Sequence, residues 1–160
     1  MTNYHGVIED FWSEYLPDYT YTRQVPFEGM RSDWHENYNR DYLLQAFNDE
    51  LPPIWQQFYT ALNAKEGSIS WTCMLPNRII PPHVDTFYTL RTKHNVDVSE
   101  CFRYLIMLED HKFGQYIQFD DLMIGTWKKG EVWSFDSTVK HFAVNASNDN
   151  FHTCQVSTIK

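Results

Sequence analysis

The pattern of hydrophobic and polar positions changes period near Gly67. Before it, Val7, Phe11, Trp12 and Tyr15 recur at helical spacing, as do Tyr42, Leu43 and Phe47, and then Ile54, Phe58 and Leu62, which predicts helices. The pair Pro52-Pro53 must interrupt or start a helix, because proline is tolerated in a first turn and not in an interior. After Gly67 short β-prone runs alternate with turn residues, over 68–74, 102–108, 115–119, 122–127, 131–135, 141–144 and 152–159. Short strands at this spacing predict a sandwich or barrel. The expected fold is therefore α+β and mainly β, a jelly roll flanked by N-terminal helices. No linker or repeat separates the parts, so residues 1–160 read as a single domain, with 1–66 the helical flank and 67–160 the jelly-roll core.

Composition supports this picture. A chain of 160 residues can bury a core of its own, and its 17% aromatic content supplies large flat rings to fill one. Lysine and arginine total 13 against 21 acidic residues, and no basic run exceeds a pair such as Lys128-Lys129, which argues against a phosphate-tracking surface for nucleic acid. Cys73, Cys101 and Cys154 are odd in number and lack a CxxC pair, so they read as buried thiols and not as a disulfide framework or thiolate zinc site. The first ten residues lack the pattern of a signal peptide, and no stretch approaches the roughly 20 apolar residues that span a bilayer. A cytoplasmic location without membrane contact is the expectation.

His83-Val84-Asp85 carries the candidate chemistry. In an extended segment residues two apart point to one face, so an imidazole and a carboxylate can grip one side of a metal. His141 follows in a strand-like segment, with enough intervening chain to return on a facing strand. Two neutral nitrogens and one carboxylate oxygen make the facial triad of non-haem iron(II) oxygenases, which leaves positions open for substrate and dioxygen. By itself a His-x-Asp pair is common.

Two longer segments add specificity: the proline-rich approach from Met74 through Pro81-Pro82 to His83 and Asp85, and the run Trp127, Gly130, Glu131, Val132, Phe135, Asp136, His141 and Asn145. Here, over about residues 70–159, the chain resembles the aspartyl/asparaginyl β-hydroxylase group of 2-oxoglutarate- and iron(II)-dependent oxygenases. The resemblance implies a double-stranded β-helix, iron(II) held by His83, Asp85 and His141, 2-oxoglutarate as co-substrate, dioxygen, and hydroxylation of a C–H bond in a polypeptide side chain or free amino acid. It also implies that Thr72 and Arg103 meet the co-substrate. Arginine on the otherwise apolar stretch 102–108 needs a partner in any case.

The family usually places another arginine about ten residues after the second metal histidine, with a hydroxyl two positions later. This chain keeps the hydroxyl as Thr153 but has Phe151 before it, and no arginine or lysine between His141 and Lys160. Arg103, Arg91 or Lys93 then takes the far carboxylate of the oxo-acid, His152 does so in part, or the pocket accepts another small molecule. Asp136 reads as a turn former, and Trp71, Trp133 and Tyr104 as core. The segment from Thr86 to Ser99 is expected to be a mobile loop near the metal, where substrate is selected. Two alternatives stand beside this reading: a cupin-like metal protein that uses the triad without 2-oxoglutarate turnover, and a partner-binding jelly-roll domain that presents Trp34, Tyr38 and Tyr42.

Overall fold

The computed structural model describes residues 1–17, 43–65 and 67–160. Its strands are β1 (Asn3–Val7), β2 (Leu43–Phe47), β3 (Ser68–Met74), β4 (Arg78–His83), β5 (Cys101–Met107), β6 (Gln115–Phe119), β7 (Met123–Ile124), β8 (Glu131–Asp136), β9 (His141–Asn145) and β10 (Phe151–Ile159). They form two antiparallel sheets, one in the order β1-β8-β5-β10-β3-β2 and the other in the order β4-β9-β6-β7. Short helices α1 (Gln57–Ala61) and α2 (Tyr88–His94) and a few 3-10 turns complete the described chain. The result is a mainly-β sandwich of two antiparallel sheets, the double-stranded β-helix that the sequence leads one to expect. No helix among the described residues is long and apolar enough to cross a membrane.

Alternation along the strands builds two apolar layers. Facing residues of the two sheets, among them Leu105, Met107, Phe135 and Phe151 from one and Ile117, Phe119 and Ala143 from the other, fill the space between them. The other face of the six-stranded sheet buries Ile69, Trp71, Ile106, Cys154 and Val156 against Trp12, Trp55 and Phe58. Two indole N–H groups in that second layer find backbone acceptors, Trp12 donating to Leu108 O at 3.1 Å and Trp55 to Tyr15 O at 3.2 Å, whereas the buried Trp71 Nε1 makes no hydrogen bond among the described residues. Pro53 opens the 3-10 turn that runs into α1, as proline in a first turn should. Trp71 therefore packs in the outer layer, away from the space between the sheets.

The structure departs from the sequence pattern at two places in the N-terminal part. Val7, Leu43 and Phe47, read at helical spacing, lie instead in the strands Asn3–Val7 and Leu43–Phe47. In β2 burial alternates, with Leu44 and Ala46 inward against the outer layer, and the strand pairs with β3 through Leu44 opposite Cys73 and Ala46 opposite Trp71. Tyr42, Leu43 and Phe47 fit a helical spacing over a window too short to exclude period two, and the open edge of β3 decides the outcome. The expected loop over 86–99 instead holds α2, bounded by Phe87 and Asn95, both left-handed with φ of 50° and 51°. Trp34, Tyr38 and Tyr42 lie outside the described residues.

Candidate metal centre

Strands β4 and β9 bring the two histidines together by an irregularity in register. Ile80 faces Ala143 and His83 faces His141, so β4 spends one residue more than β9 between the two pairs. That bulge contains Pro81 and Pro82, whose missing N–H groups cost nothing on the edge of a sheet and at a break in the ladder. The two imidazoles end with ring centroids 4.3 Å apart.

Local contacts orient both rings. Nδ1 of His83 donates to Pro81 O at 2.8 Å, and Nδ1 of His141 donates to Val139 O at 3.2 Å. A carbonyl can only accept, so each Nδ1 carries a proton and each Nε2 is the nitrogen left to face the shared point, the one a metal would take. Packing against Phe135 at 4.6 Å and Phe119 at 5.7 Å further fixes the His141 ring. Burial pushes its imidazole down to about 4, against the pull of Asp85, so His141 is neutral at pH 7.

Asp85 follows β4 and turns its carboxylate back toward the same point, with Oδ1 3.6 Å from His83 Nε2. One ligand atom from each of His83, Asp85 and His141 lies within 4.8 Å of the others. Burial pushes the Asp85 carboxyl up, but the Arg103 guanidinium foremost, with His83 and His141, pulls it well below the usual carboxylate range. Arg103 Nη1 stands 2.8 Å from Oδ2 as an ion pair, although the approach is not aligned and the buried Oδ2 accepts no hydrogen bond among the described residues. His83 Nε2 thus faces one carboxylate oxygen, and the other has Arg103 as its ion-pair partner but accepts no hydrogen bond among the described residues. Two imidazole nitrogens and a carboxylate converging within 4.8 Å, one carboxylate oxygen lacking a hydrogen bond, are a donor set that suits a divalent cation.

The remaining candidates divide by sheet face. Thr72 and Thr153 are register partners, both buried, with hydroxyl oxygens 2.5 Å apart. Alternation along β10 puts Thr153, Gln155 and Ser157 on the face of Phe151, toward the inter-sheet layer, and Arg103 lies opposite Ser157, whose hydroxyl accepts from its Nε at 3.1 Å. A polar row therefore crosses the inner face from Arg103 to Thr72. His152 points to the other face, beside Trp71 and Cys73, and Arg91 and Lys93 are exposed on α2. Phe151, at the family's arginine position, is stacked on Trp127 at 4.9 Å with planes 19° apart. Asp136 accepts from Thr138 at the turn before His141, as a turn former would. Ser157 and Phe87, whose ring lies 5.2 Å under the Arg103 guanidinium, were not singled out by sequence; only the strand register and the turn of the chain into α2 bring them to the site.

The family model for aspartyl/asparaginyl β-hydroxylases matches residues 10–151. The chain belongs to that family. No curated protein matches it. Among solved structures, a prolyl-4-hydroxylase from Pseudomonas putida is similar with a TM-score of 0.55 at 10% identity, over 74% of this chain and 70% of its own. A non-haem α-ketoglutarate-dependent carbocyclase, SnoK of nogalamycin biosynthesis, is similar with a TM-score of 0.56 at 12% identity, over 74% of this chain and 63% of its own. At such identities the likeness is one of fold, and the β-hydroxylase family match carries the relationship.

Proposed function

We propose that this β-hydroxylase family member is an iron(II)- and 2-oxoglutarate-dependent dioxygenase that hydroxylates a C–H bond of a polypeptide side chain or a free amino acid. The observation that carries the reading is the convergence of His83, Asp85 and His141, with both histidines donating from Nδ1 to backbone carbonyls so that Nε2 faces the shared point. When bound, iron(II) and the oxo-acid supply the oxidation with dioxygen, leaving succinate and carbon dioxide. Everything else is the work of this chain. His83 and His141 offer Nε2, and Asp85 offers one oxygen. Thr72 and Thr153 offer hydroxyls to the co-substrate, and Arg103 holds a positive charge at the rim of the centre. Phe119, Phe135 and the inter-sheet layer exclude water behind His141. A cleft of about 300 Å³ lined by Pro82, Gln118, Asp120, Lys140 and His141 gives substrate a way to the second imidazole. The chain would act as one domain, in a reducing cytoplasmic setting that suits three buried free thiols.

Anaerobic titration with iron(II), with and without 2-oxoglutarate, tests this reading. A visible charge-transfer band that needs both components is the expected result. Iron binding without the band at millimolar oxo-acid would favour the cupin-like reading, which the Phe151–Trp127 stack at the family's arginine position supports. Mass-spectrometric screening of peptides and amino acids for a gain of one oxygen then identifies the substrate.

A further inference from the structure

We propose that Arg103 is a built-in counter-charge that makes metal loading of the His83–Asp85–His141 centre depend on an anionic chelating ligand. This inference rests on the metal-centre reading above. Three contacts pin the guanidinium: Nη1 lies 2.8 Å from Asp85 Oδ2, Nε donates to Ser157 Oγ at 3.1 Å, and the Phe87 ring lies under it at 5.2 Å. Phe87 reaches that place from a left-handed backbone at the start of α2. Only 19% of the arginine side chain is exposed, so water screens its charge weakly.

Asp85 is the one carboxylate among the three ligands, and Arg103 offsets its charge from 2.8 Å. A divalent cation entering beside Asp85 therefore meets a fixed positive charge within a few ångströms. The repulsion falls only as the inverse of distance in a medium less polar than water, and the bare site is weakened. An anionic chelator on the open metal positions reverses the balance, because the same guanidinium now faces a negative ligand. Its Nη2 makes no hydrogen bond among the described residues and can serve that ligand. Metal and chelator then strengthen one another by a single reciprocal factor. A doubly loaded site is favoured over one that holds metal alone.

The test measures manganese(II) affinity of the full chain from the paramagnetic resonance of free manganese, alone, with 2-oxoglutarate, and with oxalate, which chelates but has no distant carboxylate. In the natural chain either anion should tighten manganese binding about tenfold or more, a shift of about 1.4 kcal/mol. Arg103→Gln should bind bare manganese about tenfold tighter than the natural chain, and its gain from either anion should shrink to about threefold or less. Arg103→Lys, which keeps the charge, should retain the natural behaviour. An Arg103→Gln chain that binds bare manganese no tighter, or that keeps the full gain, overturns the proposal. Should that variant not fold, Phe87→Leu, which removes the ring under the guanidinium, should move both quantities in the same direction by a smaller factor; unchanged values overturn the proposal equally. Manganese binding by the natural chain with no effect of Arg103 sinks this inference alone, whereas no manganese binding by any chain sinks the metal-centre reading with it.

Discussion

Replacing Asp85 by Ala separates what the carboxylate does for folding from what it does for metal. In the metal-free protein the substitution leaves Arg103 without the anion 2.8 Å away, in a pair whose side chains are 19% and 10% exposed. Removing one partner of a fully buried pair costs about 3–5 kcal/mol, because the survivor is a buried uncompensated charge. Arg103 keeps Ser157 and the Phe87 ring and retains some contact with water, so the lower part of the scale applies, about 2–3 kcal/mol. For a chain of this size that lowers Tm by roughly 5–10 °C. The dependence on pH follows from the direction of the carboxyl shift. Asp85 is held below its ordinary value of 3.8, so its stabilisation is fully present above that value and is lost as pH falls through the lower folded value. Urea unfolding followed by circular dichroism in EDTA should show a gap between the two chains that is constant from about pH 7 to 5 and narrows below about pH 4. An Asp85→Ala chain as stable as the natural one at pH 7 would mean that the ion pair relieves no cost, and would refute the assignment of Arg103 to Asp85.

Two further substitutions probe the frame around the site. Thr72→Val and Thr153→Val each leave a buried hydroxyl whose partner oxygen stood at 2.5 Å, and each should cost about 1–2 kcal/mol in urea unfolding, whereas the double variant should cost about 1 kcal/mol less than the sum. Strict additivity would show that the two hydroxyls are not coupled. Gly130→Ala places a Cβ 2.4 Å from Ile8 O at a residue with φ of 85°, so it should lose about 2–3 kcal/mol and loosen β1 from β8; a loss under about 0.5 kcal/mol would contradict the close approach.

How far the fold can be read from sequence depends on where a strand lies in its sheet. Runs at 68–74 and 115–119 coincide with β3 and β6, and β5, β8, β9 and β10 differ from their predicted bounds by a residue at one or both ends. The departures are β1 and β2, where residues read at helical spacing fall, β4, which lies in the proline-rich approach outside the predicted runs, and β7, shorter than its run. These four are the edges of the two sheets among the described residues. An interior strand is paired on both sides and needs a sustained β-prone run. An edge strand is held by one neighbour, tolerates proline, glycine and polar residues, and is kept short to avoid pairing with other chains. Its period-two signal is correspondingly weak: Gly6 sits in β1 and Pro81-Pro82 in β4. The strand that presents His83 is thus one that hydrophobic pattern does not reveal.

The site itself was readable where its chemistry is local. The His-x-Asp spacing and the run ending at Asn145 locate all three candidate ligands, although the bulge that sets His83 opposite His141 is visible only in the register of β4 and β9. Arg103 is the instructive case. An arginine on an apolar strand announces that an anion is near, and the sequence offered a bound oxo-acid as that anion. The structure supplies one from the chain itself, Asp85, eighteen residues earlier and across a helix from it. Burial of an ionisable group shows that a partner exists but not which one, since partners are brought together by topology and not by spacing. The same holds at Phe151. Sequence shows that an arginine is missing there; the stack on Trp127 shows that its place is filled by apolar packing and is not left open for another cation. With His152 on the opposite face and Arg91 and Lys93 exposed on α2, the described inner face has Arg103 as its cation and the Thr72–Thr153 pair at the far end of the polar row. The arginine charge therefore lies beside the three candidate metal ligands, and neutral hydrogen-bonding groups lie away from them. A chelating oxo-acid in this site would owe its electrostatic attraction to the end that meets the metal.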